Sequence, residues 1–214
     1  MEFYALILNE PDNNFTEVAA IRSARYYYNT NNYSKAIPFY ERVDQVSADP
    51  EVIYNARLGL MRSSYQVNDF AAAANYAKLV LANGLVTSAD RLSANYILGK
   101  SSLETKNVDD AMSALTFVSR NTTSELASES KFLIAQLQYE LKNYSEADTH
   151  ARALLNMKPT YDYWIAKGLI LQSKISMRQD NLFQAEQTIL SVIDHYPDTE
   201  DGIKEEAHSV YNEI

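Results

Sequence analysis

A chain of 214 residues that is 46% hydrophobic and 22% charged can bury a sizeable core and has the composition of an ordered soluble protein. Its net charge of −9 argues against nucleic acid and anionic lipid as partners, because both call for a basic surface. With no cysteine there is no disulfide framework, thiol nucleophile or thiolate metal site, and five glycines with five prolines are too few to punctuate a sandwich of short strands.

The opening MEFYALILNEPDN has no basic region and no small-residue cleavage site, so it does not read as a signal peptide. Its apolar FYALIL reads as the end of a preceding repeat (residues 1–13), in a chain expected to be a fragment or a matured form. The longest apolar runs, such as LVLA at 79–82, are far too short to span a bilayer.

A six-residue motif then recurs. NNYSKA, ending at Ala36, returns as NDFAAA at Ala73, KNVDDA at Ala111, KNYSEA at Ala147 and DNLFQA at Ala185, with spacings of 37, 38, 36 and 38 residues. A period this regular marks a solenoid or array. Four residues before each alanine stands a good N-cap: Asn32, Asp69, Asn107, Asn143 or Asn181. Asp110, Glu146 and Gln184, three positions on, predict capping boxes. Seven residues after each alanine comes Val43, Val80, Val118, Leu154 or Val192, two turns along the same helix face. Each motif therefore starts the second helix of a pair. Pro38 falls inside the earliest of these and predicts a kink or a late start.

The first helix of each pair carries Ala24, Met61, Gly99, Ala135 or Ser173 twelve residues before the motif alanine, small in four cases as a close crossing requires. Asn14 with Glu17, Asp49 before Pro50, Thr87 with Asp90, and Thr122 with Glu125 mark the starts of these helices. The Asn83-Gly84 pair reads as a stop, and Pro159 and Pro197 fall just past second helices. The last stretch, DTEDGIKEEAHSVYNEI, lacks a partner helix. Asp198, Glu200 and Asp201 are expected to crowd its first turn, making it a polar helix that closes the stack.

Paired helices with small residues at these offsets, aromatics such as Tyr33, Phe70 and Tyr144 three before the alanine, and proline twelve after it resemble the tetratricopeptide repeat. The likeness covers residues 16–197. It departs from the family in lacking the first-helix tryptophan, in Met61 at a small-residue position, and in repeats two to four residues longer than the usual unit of about 34. The resemblance implies an all-α, right-handed superhelical solenoid forming a single domain over 1–214. Its units would run roughly 16–48, 49–86, 87–121, 122–158 and 159–197, with a capping helix over 198–214. It also implies an interaction scaffold, not an enzyme, with no cofactor. Likeness to large multi-repeat bacterial proteins implies a periplasmic or envelope-associated setting.

Catalytic patterns are weak. His150, His195 and His208 are isolated, with no second ligand at metal spacing on one helix face. The glycines at 59, 99 and 168 interrupt helical patterns and build no phosphate loop. Asp109-Asp110 and Glu205-Glu206 sit where a helix dipole or solubility accounts for them. Sequons occur at Asn14, Asn32, Asn121 and Asn143, and the second and fourth are already explained as caps. Tyr161, Tyr163 and Trp164 are expected to cover the junction with the preceding second helix.

In the implied architecture the first helices line a concave surface. Eleven residues before each motif alanine come Arg25, Arg62, Lys100, Gln136 and Lys174; eight before come Tyr28, Tyr65, Leu103, Tyr139 and Met177. Three apart on a helix, the two rows are neighbours. Arg25, Tyr28, Arg62, Tyr65, Lys100, Tyr139 and Lys174 thus describe a groove suited to a peptide or protein segment bearing acidic groups or a free carboxylate. The competing reading is that these cations pair with carboxylates of the adjacent repeat while the tyrosines pack between first helices. The expected partner is a protein or peptide, with no nucleic acid and no membrane insertion. The alternative is an architectural or self-associating segment of a larger bacterial envelope assembly, and a hydrolase built on paired carboxylates is the third and weakest reading.

Overall fold

The five motif alanines lie where helices cross, and Ala36, Ala73, Ala111, Ala147 and Ala185 are each 0% exposed. Val43, Val80, Val118, Leu154 and Val192 are buried with them, as are Ala24, Met61, Gly99, Ala135 and Ser173 on the preceding helices. Full burial of a valine or leucine stabilises by about 1.5–3 kcal/mol, so these rows hold the pairs together. The small residues let the backbones approach.

The structure, a computed structural model, describes residues 13, 15–197 and 200–214. Most of the expected end of a preceding repeat, residues 1–13, therefore lies outside the described residues, as do Asn14 and Asp198. Among the described residues there are eleven helices and no strand. The pairs are α1 (Thr16–Asn29) with α2 (Tyr33–Val46), α3 (Pro50–Gln66) with α4 (Phe70–Leu81), and α5 (Ser88–Glu104) with α6 (Val108–Asn121). They continue as α7 (Glu125–Glu140) with α8 (Tyr144–Leu155) and α9 (Asp162–Arg178) with α10 (Leu182–His195), followed by α11 (Ile203–Tyr211).

The chain divides into two compact bodies, one up to Ala114 and one from Leu115. In the N-terminal body α1 to α5 each pack on their chain neighbours, and α1 touches α3 as α3 touches α5. In the C-terminal body α7 to α11 do the same, with α9 touching both α7 and α11. Helix α11 buries Ile203, Ala207 and Val210 in a cluster with Ala166, Ile170, Ile189 and Val192.

The turn inside each pair is built the same way five times. Asn31, Asn68, Lys106, Lys142 and Asp180 adopt the left-handed conformation, with φ between 56° and 62°. The N–H of each donates to the carbonyl three residues back, and the N–H of the following cap residue donates five back, as from Asn32 to Tyr27 at 2.8 Å and from Asn107 to Ser102 at 2.8 Å. This is a Schellman motif that runs directly into the next N-cap. It explains a difference from the sequence reading. The five cap residues do precede the second helices, yet the capping boxes do not close, because a box needs the cap's own N–H and here that group already serves the helix before. Asp69, Asn107 and Asn181 accept from the N–H groups of Ala72, Asp110 and Gln184. Asn32 and Asn143 make no side-chain cap. Gln184 instead donates to Thr188 Oγ1 at 3.0 Å.

Lys106 and Lys142 are exposed in a conformation that glycine enters without a Cβ penalty. Lys106→Gly and Lys142→Gly should each raise stability by about 0.5–1 kcal/mol in denaturant unfolding, the relief of left-handed strain less the entropy glycine adds to the unfolded chain. Lower stability in both variants would show that the turns carry no such strain.

Other helix starts also differ from expectation. Asp49 and Thr87 cap as predicted, accepting from Glu51 N–H at 2.8 Å and Asp90 N–H at 3.0 Å. Thr122 does not, since α7 starts behind Ser124 and the Thr122 hydroxyl is engaged with Ser124. Helix α1 begins at Thr16 behind Phe15. Helix α2 starts directly after Asn32 and runs unbroken through Pro38, so there is no late start. Helix α11 begins only after Gly202, at φ 80°, which leaves Glu200 and Asp201 ahead of its first turn. Asp201 there accepts from the Tyr196 hydroxyl at 2.6 Å and from Ile203 N–H at 3.1 Å.

Candidate functional site

Arg62 and Lys174 of the cationic row on the first helices each meet a carboxylate. Arg62 on α3 donates through Nη2 to Asp90 Oδ1 at 2.9 Å. The other Asp90 oxygen accepts from the Tyr54 hydroxyl at 3.0 Å and from Thr87 Oγ1 at 2.8 Å. One carboxylate thus ties α3 to the start of α5. Burial pushes the Tyr54 hydroxyl pKa up, and its hydrogen bond to Asp90 adds to the rise. In the C-terminal body Lys174 and Lys167 of α9 hold the two oxygens of Glu206 on α11, at 2.9 and 2.7 Å. Burial pushes the Glu206 carboxyl pKa up, but the hydrogen bonds from the two lysines and their charge outweigh it and hold the group below its ordinary value.

The remaining predicted residues have other surroundings. Lys100 lies 5.8 Å from the centre of the Tyr96 ring. Tyr28 meets Tyr33 edge-on at 5.4 Å and Tyr40 at 6.3 Å. Tyr65 meets Phe70 at 6.1 Å, and Tyr139 meets Tyr144 at 5.5 Å while its hydroxyl accepts from Arg178 Nε at 3.2 Å. Arg25 is exposed and makes no ion pair among the described residues.

Three of the predicted residues come together. A cavity of about 210 Å³ in the N-terminal body is lined by Arg25, Tyr28 and Arg62 with Tyr40, Asn55, Ile21, Val43 and Val52. Its floor is a close contact. The Tyr40 ring lies directly on the α3 backbone at Gly59, where a Cβ would stand 2.4–2.6 Å from three ring atoms. Burial raises the Tyr40 pKa, as does nearby Tyr28, while Arg25 and Arg62 pull it down. Tyr40 and Gly59 were not foreseen as parts of a site, although an aromatic at one repeat position facing glycine in the next repeat is a signal the sequence carries.

The C-terminal body has a smaller cavity of about 150 Å³, lined by Gln136, Tyr139, Lys167 and Lys174, in which Glu206 is itself a wall. A third hollow, of about 300 Å³, is lined by Ile165, Leu169, Val192, His195 and Tyr196. His195 Nδ1 lies 3.1 Å from the Ser191 carbonyl oxygen. Among the described residues there is no group of three histidines, aspartates or glutamates placed to hold a metal, and no helix long and apolar enough to cross a membrane.

At the start of α9, Trp164 packs on a core that includes Ala147, Ala151 and Leu154 of α8, as expected, and the cluster also has partners that were not expected. Trp164 donates to Glu125 Oε1 at 3.0 Å and its ring meets Phe132 at 5.6 Å, while the Tyr161 hydroxyl donates to the Thr123 carbonyl at 3.2 Å. These partners lie on or just before α7, the preceding first helix, and not on the second helix between them.

No family model and no curated protein sequence matches the chain. Solved structures do. The chain is similar to YrrB, described as a TPR protein with an unusual peptide-binding site, at a TM-score of 0.68 and 15% identity, covering 90% of this chain and 92% of that one. It is similar to MamA at a TM-score of 0.64 and 13% identity over 87% and 99% of the two chains. It is similar to PilW, a type IV pilus biogenesis factor, at a TM-score of 0.60 and 18% identity over 91% and 82%. At these identities the likeness is one of fold. The backbone is that of a tetratricopeptide-repeat protein, as the motif offsets led us to expect.

Proposed function

We propose that this protein with the tetratricopeptide-repeat fold is a non-enzymatic scaffold, and that it binds an acidic peptide or protein segment along the first-helix face of its N-terminal body. The observation that carries this reading is the cavity where Arg25, Tyr28 and Arg62 converge, with Arg25 exposed and making no ion pair among the described residues. A guanidinium edge held beside tyrosine rings can grip a carboxylate through paired hydrogen bonds while the rings contribute apolar area. Asp90 and Glu206 support the acidic preference, because each is a carboxylate already bound by cations of the same helix face. YrrB, similar in fold, is described as having a peptide-binding site, and this too supports a peptide ligand.

The test is a peptide array of random 12-mers in acidic, neutral and basic sets, probed with the wild-type chain and with Arg25→Glu. Acidic peptides should be retained preferentially, and the charge reversal should weaken them about tenfold or more at an unchanged unfolding midpoint. Equal retention of all three sets contradicts the reading. Arg62 is a poorer choice for this test, since its substitution also breaks the Asp90 bond.

Exposed apolar side chains favour a second reading, self-association. Phe15 is 77% and Phe183 74% exposed. Light scattering over a range of concentrations separates the two, because a monomer at every concentration removes self-association.

A further inference from the structure

We infer that the cavity of the N-terminal body is a single-residue anchor pocket, taking one aromatic side chain of the partner while Arg25 holds a carboxylate one or two residues away from it. This rests on the acidic-segment reading and specifies the segment. The cavity, about 210 Å³, is smaller than the roughly 300–1,000 Å³ of pockets that take whole small molecules, and larger than the roughly 150 Å³ void that accepts a benzene ring. One ring fits it. The Ile21, Val43 and Val52 side chains give apolar walls, and Tyr28 and Tyr40 offer rings for edge-to-face contact with an incoming aromatic.

The repeat explains why the pocket occurs here. Four residues after the motif alanines stand Tyr40, Ala77, Leu115, Ala151 and Ile189; fourteen before the alanines of the second to fifth repeats stand Gly59, Ile97, Leu133 and Leu171. Ala77 shares a core cluster with Ile97, and Ala151 shares one with Leu171, so at these two positions the second helix contributes a small residue and the next first helix a large one to the same core. In the pair of Tyr40 and Gly59 the sizes are reversed. A planar ring lying on a bare backbone takes the place of a side chain rising from α3, and the cavity opens beside this contact, with Val52 and Asn55 also in its lining.

The charges set the polarity of the ligand. Arg62 is engaged with Asp90 and acts as a fixed wall, so its role is to position the ligand; Arg25 has no carboxylate partner among the described residues. The corresponding lysines of the C-terminal body already hold Glu206. An acidic aromatic segment therefore finds its contacts in the N-terminal body.

The peptides retained on the acidic array decide the matter. Their sequences should be enriched in Phe, Tyr or Trp within two residues of Asp, Glu or the free C-terminus. Val52→Trp, which plugs the pocket from its half-buried rim, should weaken them about tenfold while Val52→Ala does not, and Arg25→Glu, at an exposed position, should weaken them independently of any packing change. Acidic peptides that bind without aromatic enrichment and ignore the plug would overturn the anchor pocket and leave the acidic-segment reading standing. No preference for acidic peptides at all would remove both.

Discussion

Asp90→Ala is expected to cost the chain about 1.5–4 kcal/mol of folding stability, one of the two largest effects foreseen for a single substitution. The Asp90 carboxylate accepts from Tyr54, Thr87 and Arg62 at once. Tyr54 is only 5% exposed as a residue, and a buried donor left without its acceptor costs about 1–3 kcal/mol. Loss of the acidic residue from the first turn of α5 removes about 0.3–1 kcal/mol more. The freed Arg62 adds little, because its side chain is 39% exposed and water replaces the partner. Adding Tyr54→Phe to Asp90→Ala should recover part of the loss in denaturant unfolding, since it removes the orphaned hydroxyl. A cost below about 0.5 kcal/mol for Asp90→Ala would mean that the junction between α3 and α5 does not depend on this carboxylate.

Gly59→Val should cost about 3 kcal/mol, at the upper end for overpacking, because the first added carbon already stands 2.4 Å from Tyr40 Cζ and two methyl groups follow it. The cavity adjoins the ring, so a displaced ring enters it and ligand binding should fall together with stability. Tyr40→Ala in the same chain should recover at least about half the loss, a coupling of roughly 1.5 kcal/mol, because it removes the ring that the added carbons meet. Additive costs in the double variant would show that ring and glycine do not meet in solution.

The helices and their pairing were legible because one signal, the buried motif alanine, recurs at a constant period and marks the same crossing every time. The turn between paired helices was not read, although it is just as regular. Its requirement is conformational, and Asn31, Asn68, Lys106, Lys142 and Asp180 meet it with three residue types, so no single letter repeats. The capping boxes were over-read for the same reason: the letters were present, but the cap N–H was already taken by the preceding helix.

At the candidate site, the two rows were visible as offsets, while their partners were not. Arg62 and Asp90 are 28 residues apart, Lys174 and Glu206 are 32 apart, and each pair exists only once α3 lies beside α5 and α9 beside α11. Glu206 was read as a solubility charge of the closing helix because nothing in its own surroundings in the sequence points back to α9. For Trp164 the expected neighbour was only half of the surroundings: it packs on a core that includes Ala147, Ala151 and Leu154 of α8, and its ring and indole N–H also reach Phe132 and Glu125 on α7.

The most direct test of the account is backbone and arginine side-chain NMR of the full chain titrated with N-acetyl-phenylalanyl-glutamate. We expect shifts confined to residues lining the cavity, Ile21, Arg25, Tyr28, Tyr40, Val52 and Arg62 among them, lost when the probe's carboxylates are amidated. Shifts clustered on α7 and α9, or an amidated probe that binds as well, would contradict it.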